Sequence, residues 1–192
     1  KKILQNNGVY VPIYICGLGV DHVLSISPRK FSIKAKRFKF LHVSSCFPRK
    51  GIDKLIDSYF TAFTKSDNVS LIIKTFKNPH NEVFQILEKY QTLHPDYPHT
   101  LIIEDDLSDE ELIYLYKQCN VLVAPSRGEG FGLPIAEAML LNIPVITTSW
   151  GGHKDFCNDD NSWLINYEYT YAKSHFNLLS SVWSEPSKTH LT

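Results

Sequence analysis

Short apolar runs alternate along this chain with stretches whose apolar residues recur at helical spacing. Short apolar runs between turn signals are typical of buried strands, and strands that alternate with helices form a parallel sheet covered on both faces. The pattern therefore predicts a Rossmann-like, doubly wound α/β domain. The predicted strands are Tyr10 to Cys16, Phe38 to Ser44, Val69 to Lys74, Leu101 to Ile103, Val121 to Ala124, Val145 to Thr147 and Trp163 to Ile165.

Three of the intervening helices have recognisable sequence signatures. After the second strand, apolar residues recur every three or four positions from Ile52 to Phe63 and so share one helix face. Val83, Phe84, Leu87 and Tyr90 mark a second helix in the same way. A third helix is predicted to begin after Ser108, because Ser108 and Glu111 have the spacing of a capping box. Residues 17–36 contain Pro28 and scattered charges, which predicts an irregular segment.

A glycine-rich loop joins the strand Val121 to Ala124 to the next helix. It contains glycines at 128, 130 and 132, and Pro134 suits the first turn of the helix that follows. Free N–H groups and the positive end of the helix dipole would then face outward, which favours an anion. Two carboxylates flank this cradle, Glu129 in the loop and Glu137 about one turn into the helix. Carboxylates accept hydrogen bonds from hydroxyls, so the combination predicts a ligand with phosphate, ribose and sugar, as in a nucleotide sugar.

Composition narrows the classes of protein that remain. The 192 residues fit one domain with a sizeable core, and 20 basic residues balance 20 acidic ones, which gives no support for a nucleic-acid-binding surface. No apolar run approaches 18 residues, so we expect no transmembrane segment, and the start at Lys1 does not read as a signal peptide. Four widely spaced cysteines indicate reduced thiols, and the cluster from His153 to Cys157 matches no common metal-site spacing.

The segment from Glu129 to Glu137, with Gly-Phe-Gly-Leu-Pro inside it, resembles the family-4 retaining glycosyltransferases of the GT-B fold. Gly19-Val20-Asp21 is similar to the start of the second domain of such enzymes, and Lys50-Gly51-Ile52-Asp53 to its Lys-Gly-x-Asp motif. Thr148 to Gly152 is similar to the family's later glycine pair, which we expect to let a turn approach the donor sugar. The resemblance covers nearly the whole chain but only the C-terminal half of a GT-B enzyme.

This resemblance implies a division of the chain and a partner domain. Residues 1–20 would be a linker from a missing N-terminal acceptor domain together with a first strand. Residues 21–192 would be the nucleotide-sugar-binding domain, with an aromatic-rich tail, Tyr167 to Trp183, that packs as helix and leaves some apolar surface exposed.

The resemblance also assigns roles to individual residues. Lys50 would bind the diphosphate, Glu137 the ribose hydroxyls, and Glu129, as the candidate catalytic residue, would lie beside the donor sugar. Backbone N–H groups of Gly130, Phe131, Gly132 and Leu133 would hold the phosphates. The family's usual arginine about six residues before the lysine is absent here, so a second cation is needed. Lys74 ranks first because it ends a strand, and Arg49 and Arg127 are the alternatives.

The expected activity is transfer of a hexose from a nucleotide-diphosphate sugar to a hydroxyl with the anomeric configuration kept. Neither metal nor cofactor is expected, because cations and helix N–H groups would neutralise the leaving diphosphate. A weaker resemblance of residues 150–165 to bacterial enzymes of surface polysaccharide or lipopolysaccharide synthesis implies a lipid-linked glycan acceptor. The domain would then be cytoplasmic, at the inner face of the membrane. Two alternatives remain open: another GT-B enzyme, such as a phosphorylase or sugar-nucleotide epimerase, and a non-catalytic nucleotide-sugar-binding module.

Overall fold

A computed structural model of the chain describes residues 1–173 and 180–192. The strands in this part of the chain are β1 (Phe38–Val43), β2 (Val69–Lys74), β3 (His99–Ile103), β4 (Val121–Ala124), β5 (Val145–Thr148), β6 (Trp163–Ile165), β7 (Tyr167–Tyr171) and β8 (Val182–Pro186). The α-helices are α1 (Lys2–Asn6), α2 (Ile52–Ala62), α3 (Val83–Leu93), α4 (Asp109–Gln118), α5 (Leu133–Leu140) and α6 (Lys188–Leu191). Short 3₁₀ helices span Asp21–Ser25, Pro48–Lys50 and Gly152–Asp155.

Six strands form a parallel sheet in the order β3-β2-β1-β4-β5-β6, which confirms the predicted doubly wound α/β fold. The chain starts in the middle of this sheet, moves outward through β2 and β3, and returns to β4 on the other side of β1. Helices that connect parallel strands must cross over a face of the sheet. The return to the centre therefore places helices on both faces.

Apolar side chains fill a core on each face of the sheet. Successive residues of a strand point to opposite faces, and in β2 Leu71 and Ile73 pack with α2 and α3 while Ile72 packs with α4 and α5. All three are fully buried. Strands buried on both faces must be apolar throughout rather than alternating, which is why short apolar runs revealed them in the sequence.

All three predicted helices form, and the described contacts of α2 and α4 show the features that predicted them. The buried residues of α2 include Ile52, Leu55, Ile56, Tyr59 and Phe60, one continuous apolar face. At the start of α4 the Glu111 N–H donates to Ser108 Oγ at 3.4 Å, and the Ser108 N–H donates to Glu111 Oε2 at 3.0 Å. This reciprocal pair is the predicted capping box, and it satisfies backbone donors that the first turn leaves without partners.

The predicted strand Tyr10 to Cys16 is wrong. These residues form no strand, and Tyr10 and Tyr14 are 91% and 85% exposed. An apolar run becomes a strand only where a neighbouring strand supplies hydrogen-bond partners, and residues 10–16 pair with none of the described strands. Pro12 also has no N–H to donate within a sheet.

The predicted helical tail from Tyr167 to Trp183 is also corrected. Strands β7 and β8 pair antiparallel as a separate two-stranded sheet, and residues 174–179 lie outside the described residues. Tyr167, Tyr169 and Tyr171 alternate with polar residues, a period-2 pattern of aromatic side chains that favours a strand. We refer to β7 and β8 as the C-terminal hairpin strands.

Within the part of the chain that the structure describes, no helix has both the length and the apolar character needed to cross a membrane.

His42 in β1 is a buried histidine with a hydrogen-bond partner at each ring nitrogen. Its Nδ1 lies 2.8 Å from the Val123 carbonyl oxygen, so Nδ1 carries the proton, and its Nε2 lies 2.7 Å from Ser44 Oγ. Burial lowers the pKa of His42 from 6.5 to about 4, and the charge of Lys50 acts in the same direction.

We therefore expect His42 to make folding sensitive to acid. The unfolded chain binds a proton at this position below pH 6.5 whereas the folded chain does not, so stability falls as pH drops from about 6.5 towards 4. Between pH 7 and pH 5 the loss from this group should be about 2 kcal/mol. Urea unfolding of the wild type and of His42→Gln at both pH values checks this. An equal pH dependence in the two proteins would contradict it.

Candidate functional site

The direction in which strands are added to the sheet reverses between β1 and β4, and the loops that follow these two strands meet there. In open α/β sheets ligands bind beyond the carboxyl ends of the strands at such a reversal. Loop 44–51 follows β1, and the glycine-rich loop 125–132 follows β4. Gly51 has a left-handed φ of 69°, and a Cβ at this position would lie 2.0 Å from the Pro125 carbonyl oxygen. The two loops thus pack at backbone distance, which only glycine permits.

Lys50 and Glu129, predicted separately as ligands of the diphosphate and the sugar, contact each other. Lys50 Nζ donates to Glu129 Oε1 at 2.6 Å, and the two side chains are 12% and 9% exposed. Ser126 Oγ donates to the same carboxylate oxygen at 2.7 Å. Arg49 Nη1 lies 3.6 Å from Glu129 Oε2 on the solvent side and donates to the Gly128 carbonyl oxygen at 3.1 Å. One carboxylate is therefore held by a lysine, a hydroxyl and a more distant arginine.

These contacts keep Glu129 ionised. Burial alone would raise the pKa of this carboxyl, but the charge and hydrogen bond of Lys50, the Ser126 hydroxyl and the charge of Arg49 outweigh it. The net result is a lowered pKa. A partly buried carboxylate beside cations can accept hydrogen bonds from hydroxyls and can stabilise positive charge nearby.

The glycine-rich loop presents free backbone donors beside this ion pair. Within residues 1–173 and 180–192, the N–H groups of Gly130, Phe131, Gly132 and Leu133 donate no hydrogen bond to the protein. Gly132 precedes α5 with a φ of 89°. The Phe131 side chain packs against Phe156 with ring centroids 5.1 Å apart, so its side chain serves packing while its N–H is available. The predicted anion cradle at the start of α5 is thus present as geometry.

The later glycine pair, Gly151 and Gly152, packs against the backbone of the glycine-rich loop. Gly152 N–H donates to the Glu129 carbonyl oxygen at 2.9 Å. A Cβ on Gly152 would lie 1.7 Å from the Gly130 carbonyl oxygen, so any other residue would push the loop away. The approach to a donor sugar that we expected of this pair stays a prediction.

Glu137 lies one turn into α5 and is half-buried, with a partner on α4. Tyr116 Oη donates to Glu137 Oε2 at 2.9 Å. Tyr116 is fully buried, and burial, with the charge and hydrogen bond of Glu137, raises the pKa of Tyr116, which keeps the phenol protonated as a donor. This contact fixes the carboxylate by one oxygen. Its other oxygen accepts no hydrogen bond from the described residues.

Lys74 lies at the carboxyl end of β2, beside the end of β1, as predicted. Val43 and Lys74 are register partners, and the Ser44 N–H donates to the Lys74 carbonyl oxygen at 3.1 Å. Lys74 Nζ donates to the Thr75 carbonyl oxygen at 2.7 Å. Its ammonium therefore lies at the same edge of the sheet as Lys50, and its role at a phosphate stays a prediction.

Arg127 has other partners than the phosphate that we predicted for it. Its side chain is 5% exposed, and all five N–H groups of its guanidinium donate to protein oxygens. Two bonds of 2.7 Å go to the Asp53 carboxylate, two of 2.7 Å to the Glu185 carboxylate, and one to the Pro48 carbonyl oxygen. No donor remains for a ligand, so the structure supports a role in holding the loops.

Several residues at the site escaped the sequence analysis. No motif around Tyr116, Ser126 or Glu185 indicates the contacts that they make. Their partners are Glu137, Glu129 and Arg127, which lie 21, 3 and 58 positions away respectively. His153, mentioned above only in the cluster that matches no metal site, is buried beside the glycine pair. Its Nε2 donates to the Thr148 carbonyl oxygen at 2.7 Å. Burial lowers the pKa of His153, so its ring is neutral and its Nδ1 is an acceptor without a partner among the described residues.

A cavity of about 900 Å³ lies beside Arg127. Its lining includes Asp53, Glu82, Arg127, Tyr171 and Trp183 and does not include Lys50 or Glu129. The lining therefore differs from the residues of the candidate site, although loop 44–51 contributes to both.

Comparison with known proteins finds a matching family and several sequence relatives. The sequence profile of the family described as Glycosyl transferases group 1 matches residues 25–170. The chain is 31% identical over 129 residues to the serotype-specific mannosyltransferase WbdA of Escherichia coli. That match covers 67% of this chain and 15% of the relative, so the chain spans a small part of that protein's length.

Two solved structures have the same fold at low sequence identity. The C-terminal domain of a glycosyl transferase group 1 family protein (LpcC) from Francisella tularensis matches with a TM-score of 0.63 at 21% identity, covering 77% of this chain and 80% of that one. HepE from Anabaena, solved in complex with UDP-glucose, matches with a TM-score of 0.58 at 22% identity, covering 68% of this chain and 35% of that one.

The tight contact at Gly152 leads to a stability prediction. Gly152→Ala should lower the free energy of unfolding by about 1–3 kcal/mol, because its Cβ forces the glycine-rich loop out of place. Gly128→Ala, in the glycine-rich loop itself, is the matched control. A Cβ at this position has no heavy atom within 4 Å, and the φ of Gly128 is not left-handed. Urea unfolding of both variants checks this. Equal losses would contradict the packing argument.

Proposed function

The chain belongs to the glycosyl transferases group 1 family, and from that premise we propose that it is the donor-binding domain of a retaining glycosyltransferase. The reaction is transfer of a hexose from a nucleotide-diphosphate sugar to a hydroxyl group, with the anomeric configuration kept. One observation carries this proposal. A buried lysine–carboxylate pair lies beside free N–H groups at the sheet reversal, so charge for a diphosphate and acceptors for sugar hydroxyls meet at one place.

The diphosphate binds between Lys50 and the start of α5. Lys50 Nζ is paired with the Glu129 carboxylate at 2.6 Å. A diphosphate can share or replace that contact, because it also receives the N–H groups of Gly130 to Leu133 and the positive end of the α5 dipole. Lys74 supplies the second cation, since it lies at the adjacent strand end. These groups neutralise the leaving diphosphate without metal.

The ribose binds at Glu137. Its carboxylate has one oxygen held by the Tyr116 hydroxyl, and the other can accept from the ribose hydroxyls. Hydrogen bonds to a charged acceptor contribute about 1.5–3 kcal/mol each. Glu137 therefore contributes to binding of any nucleotide, whatever sugar it carries.

The donor sugar lies at Glu129. Because its pKa is lowered, this carboxylate is ionised at neutral pH and can accept from sugar hydroxyls. It can also stabilise the positive charge that develops at the anomeric carbon as the leaving diphosphate departs. Lys50 links departure of the diphosphate to charge stabilisation at the sugar, because it contacts Glu129 and is within reach of the diphosphate.

The acceptor is proposed to be a lipid-linked glycan in bacterial surface polysaccharide or lipopolysaccharide synthesis, bound with the help of a separate acceptor domain. The likeness to a serotype-specific mannosyltransferase supports this, because serotypes are defined by surface structures. A cytoplasmic location at the inner face of the membrane accompanies this proposal.

Two substitutions should separate the phosphate contact from the ribose contact. Lys50→Ala should weaken binding of UDP or GDP at least tenfold but barely change binding of uridine or guanosine. Glu137→Gln should weaken both the nucleotide and the nucleoside by about 1.5–3 kcal/mol, because its contact is to ribose. Isothermal titration calorimetry measures all four affinities. The same loss for both ligands with Lys50→Ala, or no loss with Glu137→Gln, would contradict the assignment.

The 192-residue chain alone should bind nucleotide without transferring sugar. Its site supplies donor-side groups, while catalysis also requires an acceptor held in place, which accounts for about 7–11 kcal/mol of a barrier. Radiolabelled GDP-mannose and UDP-glucose, incubated for hours with the chain and a glycan acceptor, test this. The control adds the rest of a group 1 glycosyltransferase as a fused acceptor domain. Sustained transfer by the chain alone would contradict the two-domain proposal.

A further inference from the structure

Arg127 joins two segments that are far from it in the sequence, residues 48–53 and β8. Its guanidinium donates to Asp53 at the start of α2, to the Pro48 carbonyl oxygen in loop 44–51, and to Glu185 in β8. The two carboxylates lie 74 and 58 positions away in the chain. Each forms two parallel N–H···O bonds, an arrangement that fixes the guanidinium plane as well as its position.

The backbone of Arg127 is held by the same segments. Its N–H donates to the Arg49 carbonyl oxygen at 2.7 Å, which joins the two loops directly. Its carbonyl oxygen accepts from the Ser184 N–H at 3.2 Å and from Ser184 Oγ at 2.8 Å. Trp183 covers the guanidinium, with the Arg127 carbon Cζ 4.7 Å from the ring centroid. The β8 strand therefore holds Arg127 by side chain and backbone together.

This arrangement sets the position of Lys50 relative to Glu129. Lys50 follows Arg49, whose carbonyl oxygen accepts from Arg127, and Glu129 lies two residues after Arg127. Lys50 is therefore next to the residue whose carbonyl oxygen Arg127 binds, and Glu129 is two residues from Arg127 itself. A shift of the guanidinium would change the 2.6 Å separation between them.

The charges around Arg127 make a shift of this kind costly. Burial opposes the guanidinium charge, but hydrogen bonds and attraction from Glu185 and Asp53 outweigh it and raise the pKa of Arg127. Burial would raise the pKa of each carboxyl, yet Arg127 lowers both, and Lys54 contributes at Glu185, 3.3 Å away. All three groups are charged at neutral pH, and each depends on the others for compensation.

We propose that Arg127 is a positioning residue for diphosphate binding, and that the C-terminal hairpin strands act on the donor site through Glu185 and Trp183. This inference rests on the proposed function of the site. Arg127 touches neither donor nor acceptor. It holds loop 44–51 and the glycine-rich loop at the separation that a diphosphate requires. Glu185 in β8 supplies one of the two carboxylates that bind Arg127.

Binding of two pairs of ligands distinguishes positioning from mere stability. Arg127→Met should weaken UDP or GDP binding at least tenfold, whichever the wild type binds more tightly, and should change uridine or guanosine binding less than threefold. Glu185→Gln, which keeps the Asp53 pair, should weaken the diphosphate about threefold or more. Lys188→Met is the matched control, because it removes a 2.8 Å ion pair to Asp57 that touches neither loop. It should leave both affinities within twofold of the wild type.

A second measurement does not depend on ligand. NMR titration of the Glu129 side-chain carboxyl should show a higher pKa in Arg127→Met than in the wild type, because Lys50 is no longer held against it. A lowered melting temperature alone would leave that pKa unchanged in the folded protein.

The outcomes separate the inference from the function on which it rests. Unchanged diphosphate-to-nucleoside selectivity in Arg127→Met and Glu185→Gln, with wild-type binding intact, overturns the positioning role and leaves the proposed function standing. If the wild type binds no nucleoside diphosphate with any of the common bases, the proposed function fails, and the positioning role in diphosphate binding fails with it. The Glu129 titration then reports only whether Arg127 holds the two loops together. If Arg127→Met does not fold, Glu185→Gln decides by the same criteria.

Discussion

The candidate site depends on how the chain compensates one buried positive charge. A guanidinium removed from water must be paired and hydrogen-bonded, and Arg127 meets this requirement with two carboxylates and a carbonyl oxygen. Because these partners come from loop 44–51, α2 and β8, compensation of the charge also brings those segments together. Loss of one partner of a fully buried ion pair typically costs about 3–5 kcal/mol, and the loss here is smaller because the Asp53 side chain is 43% exposed. The arrangement of the loops is therefore strongly preferred over alternatives in which they separate.

Around this fixed point the site balances its own charges. Lys50 and Glu129 neutralise each other across 2.6 Å, and the N–H groups at the start of α5 have no hydrogen-bond partners among the described residues. A ligand with only negative charge would compete with Glu129 for Lys50. A ligand that adds hydroxyls can satisfy both, because the hydroxyls donate to the carboxylate while the phosphates accept from the lysine. Under the proposed function, this is why the site favours a nucleotide sugar over free phosphate.

Local sequence signals predicted the fold and pointed to the two loops that meet at the sheet reversal. Apolar runs mark buried strands because both faces of the sheet are covered, and Ser108 with Glu111 marks a helix start because the capping bonds span three residues. Lys50 and the glycine-rich loop were found because they follow the two strands at the sheet reversal. Each of these features is decided within a short stretch of chain or by the order of strands.

The errors arose where distant segments decide the structure. Tyr10 to Cys16 has the composition of a strand but has no place in the sheet. Arg127 reads as a phosphate ligand at the mouth of a glycine-rich loop, and only contact with Glu185, 58 residues later, shows that its donors are occupied. The tail from Tyr167 folds as strands rather than helix because its aromatic residues alternate, a signal that the resemblance to two-domain enzymes outweighed.

A crystal structure of the chain with bound UDP or GDP tests the central claim most directly. The account predicts the diphosphate between Lys50 and the N–H groups of Gly130 to Leu133, with the ribose hydroxyls on Glu137 and Arg127 still bound to both of its carboxylates. Nucleotide in the cavity beside Trp183, or phosphate oxygens on the Arg127 guanidinium, would contradict it.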